Sequence, residues 1–158
     1  MSTEVNSLET TVFFWINLEE RLDPLFYSTS ELLSKEGIQL LPVHPSQISR
    51  LAALTESAHI ILLCSTRRQA EYSAFARMVV PTLGLLLQQE KLSLFHFSSF
   101  HKLNVGPTLP KYENYFFFKY PLNLASVCAK LKKFHQLKVT QAQKWPGGKR
   151  AKVSGLAV

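Results

Sequence analysis

Five stretches of the chain are apolar enough to lie inside a sheet, and the segments between them are patterned as helices. Thr11-Val12-Phe13-Phe14-Trp15-Ile16-Asn17 is rich in β-branched and aromatic residues, the types that fit a pleated, buried surface. Ile38 to Val43 is a second, shorter run interrupted by Pro42; proline has no backbone donor, so this strand belongs near a sheet edge. His59-Ile60-Ile61-Leu62-Leu63-Cys64-Ser65-Thr66 sets four consecutive apolar residues ahead of small polar ones, the pattern of a central parallel strand covered on both faces. Leu92 to Ser98 and the aromatic run Tyr115 to Phe118 complete the set.

The intervening segments carry helix signals. Asp23-Pro24 predicts an N-cap followed by proline at the first helical position, Leu25, Leu32 and Leu33 supply the apolar stripe, and Gly37 ends the helix. Ser46 is expected to cap a second helix with Ile48, Leu51, Ala52 and Leu54 facing inward. Arg67 to Lys91 reads as helical, but Pro81 and Gly84 predict a kink or two shorter helices. Phe100 to Asn114, with Gly106-Pro107 and Pro110, predicts a long irregular loop. A closing helix is expected over Leu122 to Leu137, with Asn123 available as cap and Leu124, Val127, Cys128, Leu131 and Phe134 on one face. Strands alternating with helices imply right-handed parallel crossovers and a sheet covered on both sides, a flavodoxin-like (β/α)5 α/β fold. The expected organisation is a disordered N-terminus over 1–10, an α/β domain over 11–137 and a basic flexible tail over 138–158.

Composition narrows this picture. A chain of 158 residues with 46% hydrophobic and 18% charged residues is globular and fits one domain with tails. The net charge of +7 is unevenly placed. Residues 1–60 hold eight acids against Arg21, Lys35 and Arg50, whereas 61–158 hold fifteen basic residues against Glu71, Glu90 and Glu113. Eight of those basic residues fall between Lys130 and Lys152 with no acid among them. The tail, with Lys144, Trp145, Lys149, Arg150 and Lys152, could meet nucleic acid, an acidic membrane or an acidic partner; the plainer alternative is a solvated tail. Cys64 and Cys128 sit in apolar stretches and read as buried thiols, which argues against a disulfide framework and for a reducing compartment. Val12 to Ile16 is too short for the core of a signal peptide, and Met78 to Leu87 is too short and too interrupted for a membrane span, so a cytoplasmic protein is expected. Five scattered histidines show no paired metal-ligand spacing, and no glycine-rich phosphate loop follows any strand. Neither a metal site nor a cofactor is expected, and dinucleotide enzymes and phosphate-loop hydrolases are disfavoured.

In open α/β sheets, ligands and chemistry collect where strands exit. At those exits the chain offers Asn17 with Glu19 and Glu20, then Cys64 or Ser65, then Ser98 or Ser99, then Lys119 followed by Tyr120-Pro121. The separations are 47 residues from Asn17 to Cys64, 34 from Cys64 to Ser98 and 21 from Ser98 to Lys119. In this order and spacing, Thr11 to Leu137 resembles the receiver domains of bacterial response regulators. The resemblance implies an acidic pair after the first strand, a phosphorylated aspartate at the end of the third, Thr or Ser after the fourth and Lys then Pro after the fifth. Receiver phosphotransfer needs a carboxylate nucleophile and a divalent cation held by oxygen ligands; Asn17, Cys64 and Ser65 are not carboxylates. The chain therefore reads as a degenerate form, a pseudo-receiver with a vestigial pocket of Asn17, Glu19, Cys64, Ser65, Ser98 and Lys119 and no catalytic residue. Against this, Lys119 could simply reach solvent, and Cys64 could be an inert core thiol.

The function expected is that of a non-catalytic signalling or scaffold module. It would bind protein partners, including a second copy of itself, through the face running from the fourth strand to the last helix, which receivers commonly use. Tyr112, Tyr115, Phe116 and Tyr120 are the expected anchors, since aromatic residues dominate interface energetics; the alternative for their inward-facing members is a phenylalanine-rich core. Two other readings stand beside it: nucleic-acid or acidic-partner binding through the basic tail, and a flavodoxin-like small-molecule binder or enzyme.

Overall fold

The computed structural model describes residues 11–51, 59–78, 83–87, 92–103, 114–144, 153–154 and 156–157. The expected loose N-terminus, Ala52, Leu54, Pro81, most of the loop after Phe100, Tyr112, and Trp145, Lys149, Arg150 and Lys152 lie outside the described residues. The chain divides into two compact units, Met1–Leu122 and Asn123–Val158.

The first unit is an α/β structure with a five-stranded, all-parallel sheet. Its strands are β1 (Thr11–Ile16), β2 (Ile38–Val43), β3 (Ile60–Thr66), β4 (Leu92–Ser98) and β5 (Tyr115–Lys119), in the order β2-β1-β3-β4-β5. Pro42 does fall on an edge strand, where a missing donor costs no ladder bond on the open side. β3 and β4 are buried at all seven positions each, as strands flanked on both sides and covered on both faces should be. The strand order reverses between β1 and β3: the chain steps from β1 outward to β2, then crosses back over β1 to begin β3.

Side chains of alternate residues separate two cores. On one face, Trp15 meets Phe26 of helix α1 (Pro24–Ser34) edge-on with ring centroids 5.9 Å apart, and Phe97 at 6.4 Å. Phe95 continues this face with a stack on Phe116 at 4.8 Å. On the other face Ile16, Leu62, Cys64 and Leu94 pack with Phe75 of helix α3 (Gln69–Met78) and Leu87 of helix α4 (Gly84–Leu87). Within the stretch expected to kink, the described residues form these two helical segments. Burial of this kind supplies roughly 25 cal/mol per Å² of apolar surface, the main favourable term for the fold.

The helix starts are only partly as expected. Asp23 caps α1, its carboxylate accepting from Leu25 N–H at 2.8 Å with Pro24 beside it. Gly37, at φ +77°, turns the chain from that helix into β2, a conformation that glycine alone adopts without steric cost. The second cap is His44, not Ser46. Pro45 fits the first position of a 3-10 turn (Pro45–Gln47) that leads into helix α2 (Ile48–Leu51), so the cap falls two residues earlier. His44 Nδ1 accepts from Ser46 N–H at 3.1 Å, while Gln47 Oε1 accepts from His44 N–H at 2.9 Å.

The second unit is built on helix α5 (Leu124–Lys144), capped by Asn123, whose Oδ1 accepts from Ser126 N–H at 3.1 Å. The helix therefore runs seven residues past Leu137, where the apolar stripe predicts its end. The apolar periodicity does end near Phe134, but Lys138 to Lys144 contains neither glycine nor proline, and Gln, Ala and Lys are good helix formers. The stop signal is Pro146-Gly147-Gly148. Val127, Cys128 and Leu131 are its buried residues among those described. Two-residue strands β6 (Val153–Ser154) and β7 (Leu156–Ala157) pair antiparallel beyond it. Among the described residues no helix is long and apolar enough to cross a membrane.

Candidate functional site

The reversal of strand order opens a cleft of about 310 Å³ beyond the ends of β1 and β3, lined by Arg21, Leu22, Asp23, Pro24, Arg67, Arg68 and Glu71. One wall comes from the β1–α1 connection, where Asn17 N–H is tied to Val43 C=O at 2.9 Å and Asp23 begins α1. The other comes from the turn out of β3, where Arg67 and Arg68 lead into α3 and Tyr72 N–H bonds Arg68 C=O at 3.0 Å, making Arg68 the cap residue.

Glu71 organises this second wall. It stands in the first turn of α3, and its Oε1 reaches back to accept from Arg67 N–H at 2.9 Å and Arg68 N–H at 3.0 Å, the carboxylate half of a capping box. Arg68 bonds Glu19 from the β1 exit and lies 3.9 Å from Glu71 Oε2. Arg67 Nη2 bonds Asp23 Oδ1 at 3.0 Å, the same oxygen that caps α1. Burial, and the facing Glu19 carboxylate, push the Glu71 carboxyl above its ordinary range, against the pull of the two backbone donors. Two guanidiniums thus cross-link three carboxylates drawn from both walls. Arg21 also lines the cleft and is exposed.

Glu71→Ala should lower the unfolding free energy by about 1 kcal/mol, the usual worth of a helix cap. Glu71→Gln, which keeps an oxygen for the two N–H donors, should lose less. Urea unfolding of the two variants checks this, and equal losses would remove the cap as the cause.

The residues selected from sequence do not form one pocket. Cys64 faces the α3 side of the sheet, fully buried; burial, with smaller contributions from the Glu71 and Asp23 charges, pushes its thiol well above the usual range, the opposite of the shift that activates a thiol. Ser65 points to the opposite face, where its hydroxyl bonds Tyr120 Oη at 2.7 Å. Burial raises the Tyr120 phenol, opposed by Ser65 and by Arg67, whose Cζ lies 5.0 Å from the ring centroid. Ser98 is closed inside hydrogen bonds: it accepts from Thr66 Oγ1 at 2.7 Å and Phe100 N–H at 2.9 Å, and donates to Thr66 C=O at 3.2 Å. Lys119 pairs with Ser98 in backbone register, but its side chain is exposed and meets no hydrogen-bonding or ionic partner among the described residues. Of the set, Glu19 alone holds a charged partner across the cleft.

Of the expected docking anchors, one changes place. Tyr115 is buried, because its register opposite Leu94 turns it into the α3-side core; it is corrected from the surface to the interior. Phe116 is half-buried against Phe95, and Tyr120 is half-buried at the cleft end of β5.

Tyr115 belongs to a buried network that sequence reasoning missed. His96, with no exposed surface, bonds Tyr115 Oη through Nδ1 at 2.8 Å and Thr66 Oγ1 through Nε2 at 2.8 Å, and Phe75 stacks on its ring at 4.1 Å. Tyr115 Oη also accepts from Leu103 N–H at 3.0 Å. One proton assignment wastes no buried donor: Tyr115 O–H donates to Nδ1, Nε2–H donates to Thr66, Thr66 O–H to Ser98, and Ser98 O–H to Thr66 C=O. The ring is therefore neutral, and burial lowers its pKa to about 3. His96 and Ser98, polar residues two apart and so on one face of an otherwise largely apolar run, were the available signal.

No family model matches this chain, and no curated protein matches it. Among the described residues, no group of three or more His, Cys, Asp or Glu side chains is placed to hold a metal ion.

Proposed function

We propose that this chain is a flavodoxin-like, receiver-like module that has exchanged phosphotransfer for protein binding. The observation that carries the reading is the charge arrangement at the strand ends. Where a receiver gathers carboxylates around a divalent cation, this cleft sets Arg68 between Glu19 and Glu71 and Arg67 against Asp23. A guanidinium supplies fixed positive charge but no open coordination position, and carboxylates already paired to it are poor ligands for a hard cation. The residues ending β3 add to this: Cys64 is sealed in the core, and Ser65 and Thr66 bond Tyr120 and Ser98. The strand order supports the fold assignment, since β2-β1-β3-β4-β5 is the doubly wound order of flavodoxin-like domains. Protein binding is assigned to the β5 edge, where Phe116, Phe117 and Phe118 are half-buried and Lys119 is exposed.

Incubation with acetyl phosphate and Mg²⁺, followed by intact-mass measurement, tests the reading. No phosphoryl adduct is expected; a stoichiometric adduct released by hydroxylamine, the mark of an acyl phosphate, would overturn it. A second reading, binding of a small polar ligand, rests on the cleft volume of about 310 Å³ at the strand-order reversal. It predicts that Arg21→Ala alters a ligand-induced thermal shift without altering stability.

A further inference from the structure

Helix α5 continues seven residues past Leu137, and this continuation changes what the basic end of the chain can do. Asn123 to Val158 holds eight Lys and Arg residues and no Asp or Glu. Four of the eight, Lys130, Lys132, Lys133 and Lys138, stand on described helix, and the helical backbone runs on to a fifth, Lys144. The buried residues of α5, Val127, Cys128 and Leu131, all lie in its first half; from Lys132 to Lys138 none is buried. Lys130 and Lys133 are exposed, and Leu137 continues their face at the i, i+3, i+7 spacing of one helical stripe. Lys138 lies back over the Phe134 ring, its Nζ 5.3 Å from the centroid.

We infer that this helix is a docking surface for the phosphate backbone of double-stranded DNA, bound without base readout. Charge complementarity carries the inference. Lysines carried on one helix, in a unit with no carboxylate side chain of its own, meet a polyanion without first having to form that helix and gain from counterion release. The residue types select the partner. A membrane-seated helix needs a broad apolar face, whereas the exposed positions from Lys130 to Lys138 are Lys130, Lys133, Gln136 and the single apolar Leu137. Single-stranded nucleic acid asks for exposed aromatic platforms, and among the described residues of helix α5 the rings of Phe134 and His135 are half-buried. Leu124–Lys144 contains no arginine, the residue of the commonest base-specific contact, so the contacts are to phosphate. This inference does not rest on the receiver-like reading, which is carried by the strand-end cleft of the other unit.

Fluorescence anisotropy of the full chain with a labelled DNA duplex, across a salt series, tests it. Binding should weaken with salt, and Lys130→Gln with Lys133→Gln should raise Kd at least about tenfold and reduce the slope of log Kd against log salt by about two. Circular dichroism confirms that the double variant stays folded; should it not, Lys133→Gln alone carries the test, with a slope change of about one. Tighter binding to single-stranded RNA, to phosphatidylserine vesicles or to polyglutamate than to the duplex overturns the inference, as do absence of duplex binding at low salt and binding that the double variant leaves unchanged.

Discussion

Lowering the pH below 6.5 should cost the fold about 1.4 kcal/mol for each pH unit, because His96 has to remain uncharged where it sits. Its pKa falls from an ordinary 6.5 to about 3 on folding. Between those values the unfolded chain binds a proton that the native chain refuses, so acid favours unfolding. The contribution of His96 is complete above pH 6.5 and is lost as pH falls toward 3, about 3 to 5 kcal/mol over the whole window. Protonation would demand that Nδ1 become a donor toward Tyr115 Oη, which already accepts from Leu103 N–H, and would put a charge under the Phe75 ring.

Two other groups shape the same profile. Burial lowers His135 as well, with the same sign, while Glu71, raised on folding, contributes stability below its unfolded pKa that is lost as pH rises through its folded value. The difference between the parent chain and His96→Asn isolates His96. Urea midpoints from pH 7.5 to 4 should fall steeply for the parent and markedly less for the variant. Should His96→Asn fail to fold, ring ¹⁵N signals of the parent decide: they should stay those of the neutral Nε2–H tautomer down to pH 4. A ring that titrates near pH 6 in the folded protein refutes the buried network as drawn.

The five strands were legible because each is a run of β-branched, aromatic or aliphatic residues bounded by polar or turn residues, and burial of both faces leaves a mark in every position of β3 and β4. Helix α5 was legible only as far as its amphipathic stripe. Beyond it, Lys138 to Lys144 contains no glycine or proline and several good helix formers, a signal of propensity that periodicity does not detect. The cleft was harder to read. Arg67 and Arg68 follow a buried strand in the sequence, but the acids they hold lie 44 and 49 residues earlier, and such pairings depend on which strands are neighbours. Glu71 was within reach, three residues after the cap residue Arg68, the spacing of a capping box. An aromatic strand looks uniform along its length, so the sequence does not separate Tyr115 as an anchor from Tyr115 as a core residue. Its inward direction follows from the register opposite Leu94, a two-residue period that sets it apart from Phe116.

That period makes the most severe core substitution predictable on β1. Trp15→Ala should lower the unfolding free energy by about 3 to 5 kcal/mol, the range for removing a large buried aromatic. Trp15 is 1% exposed, wedged between Phe26 of α1 and Phe97 of β4, so the cavity would open where the sheet and α1 meet and could collapse only by moving both. Phe14, its neighbour on the other face, is half-buried, and Phe14→Ala should cost about half as much. The inequality matters more than either number, because a strand slipped by one residue would exchange the two faces and reverse the order. Urea unfolding monitored by circular dichroism gives both losses. Fluorescence gives an independent reading: the chain has two tryptophans, and in a Trp145→Phe background the remaining emission comes from Trp15 alone. Emission from a dry site should be blue-shifted and shielded from iodide. Red-shifted, quenchable emission, or equal losses for Trp15→Ala and Phe14→Ala, would show that β1 does not present this face to α1.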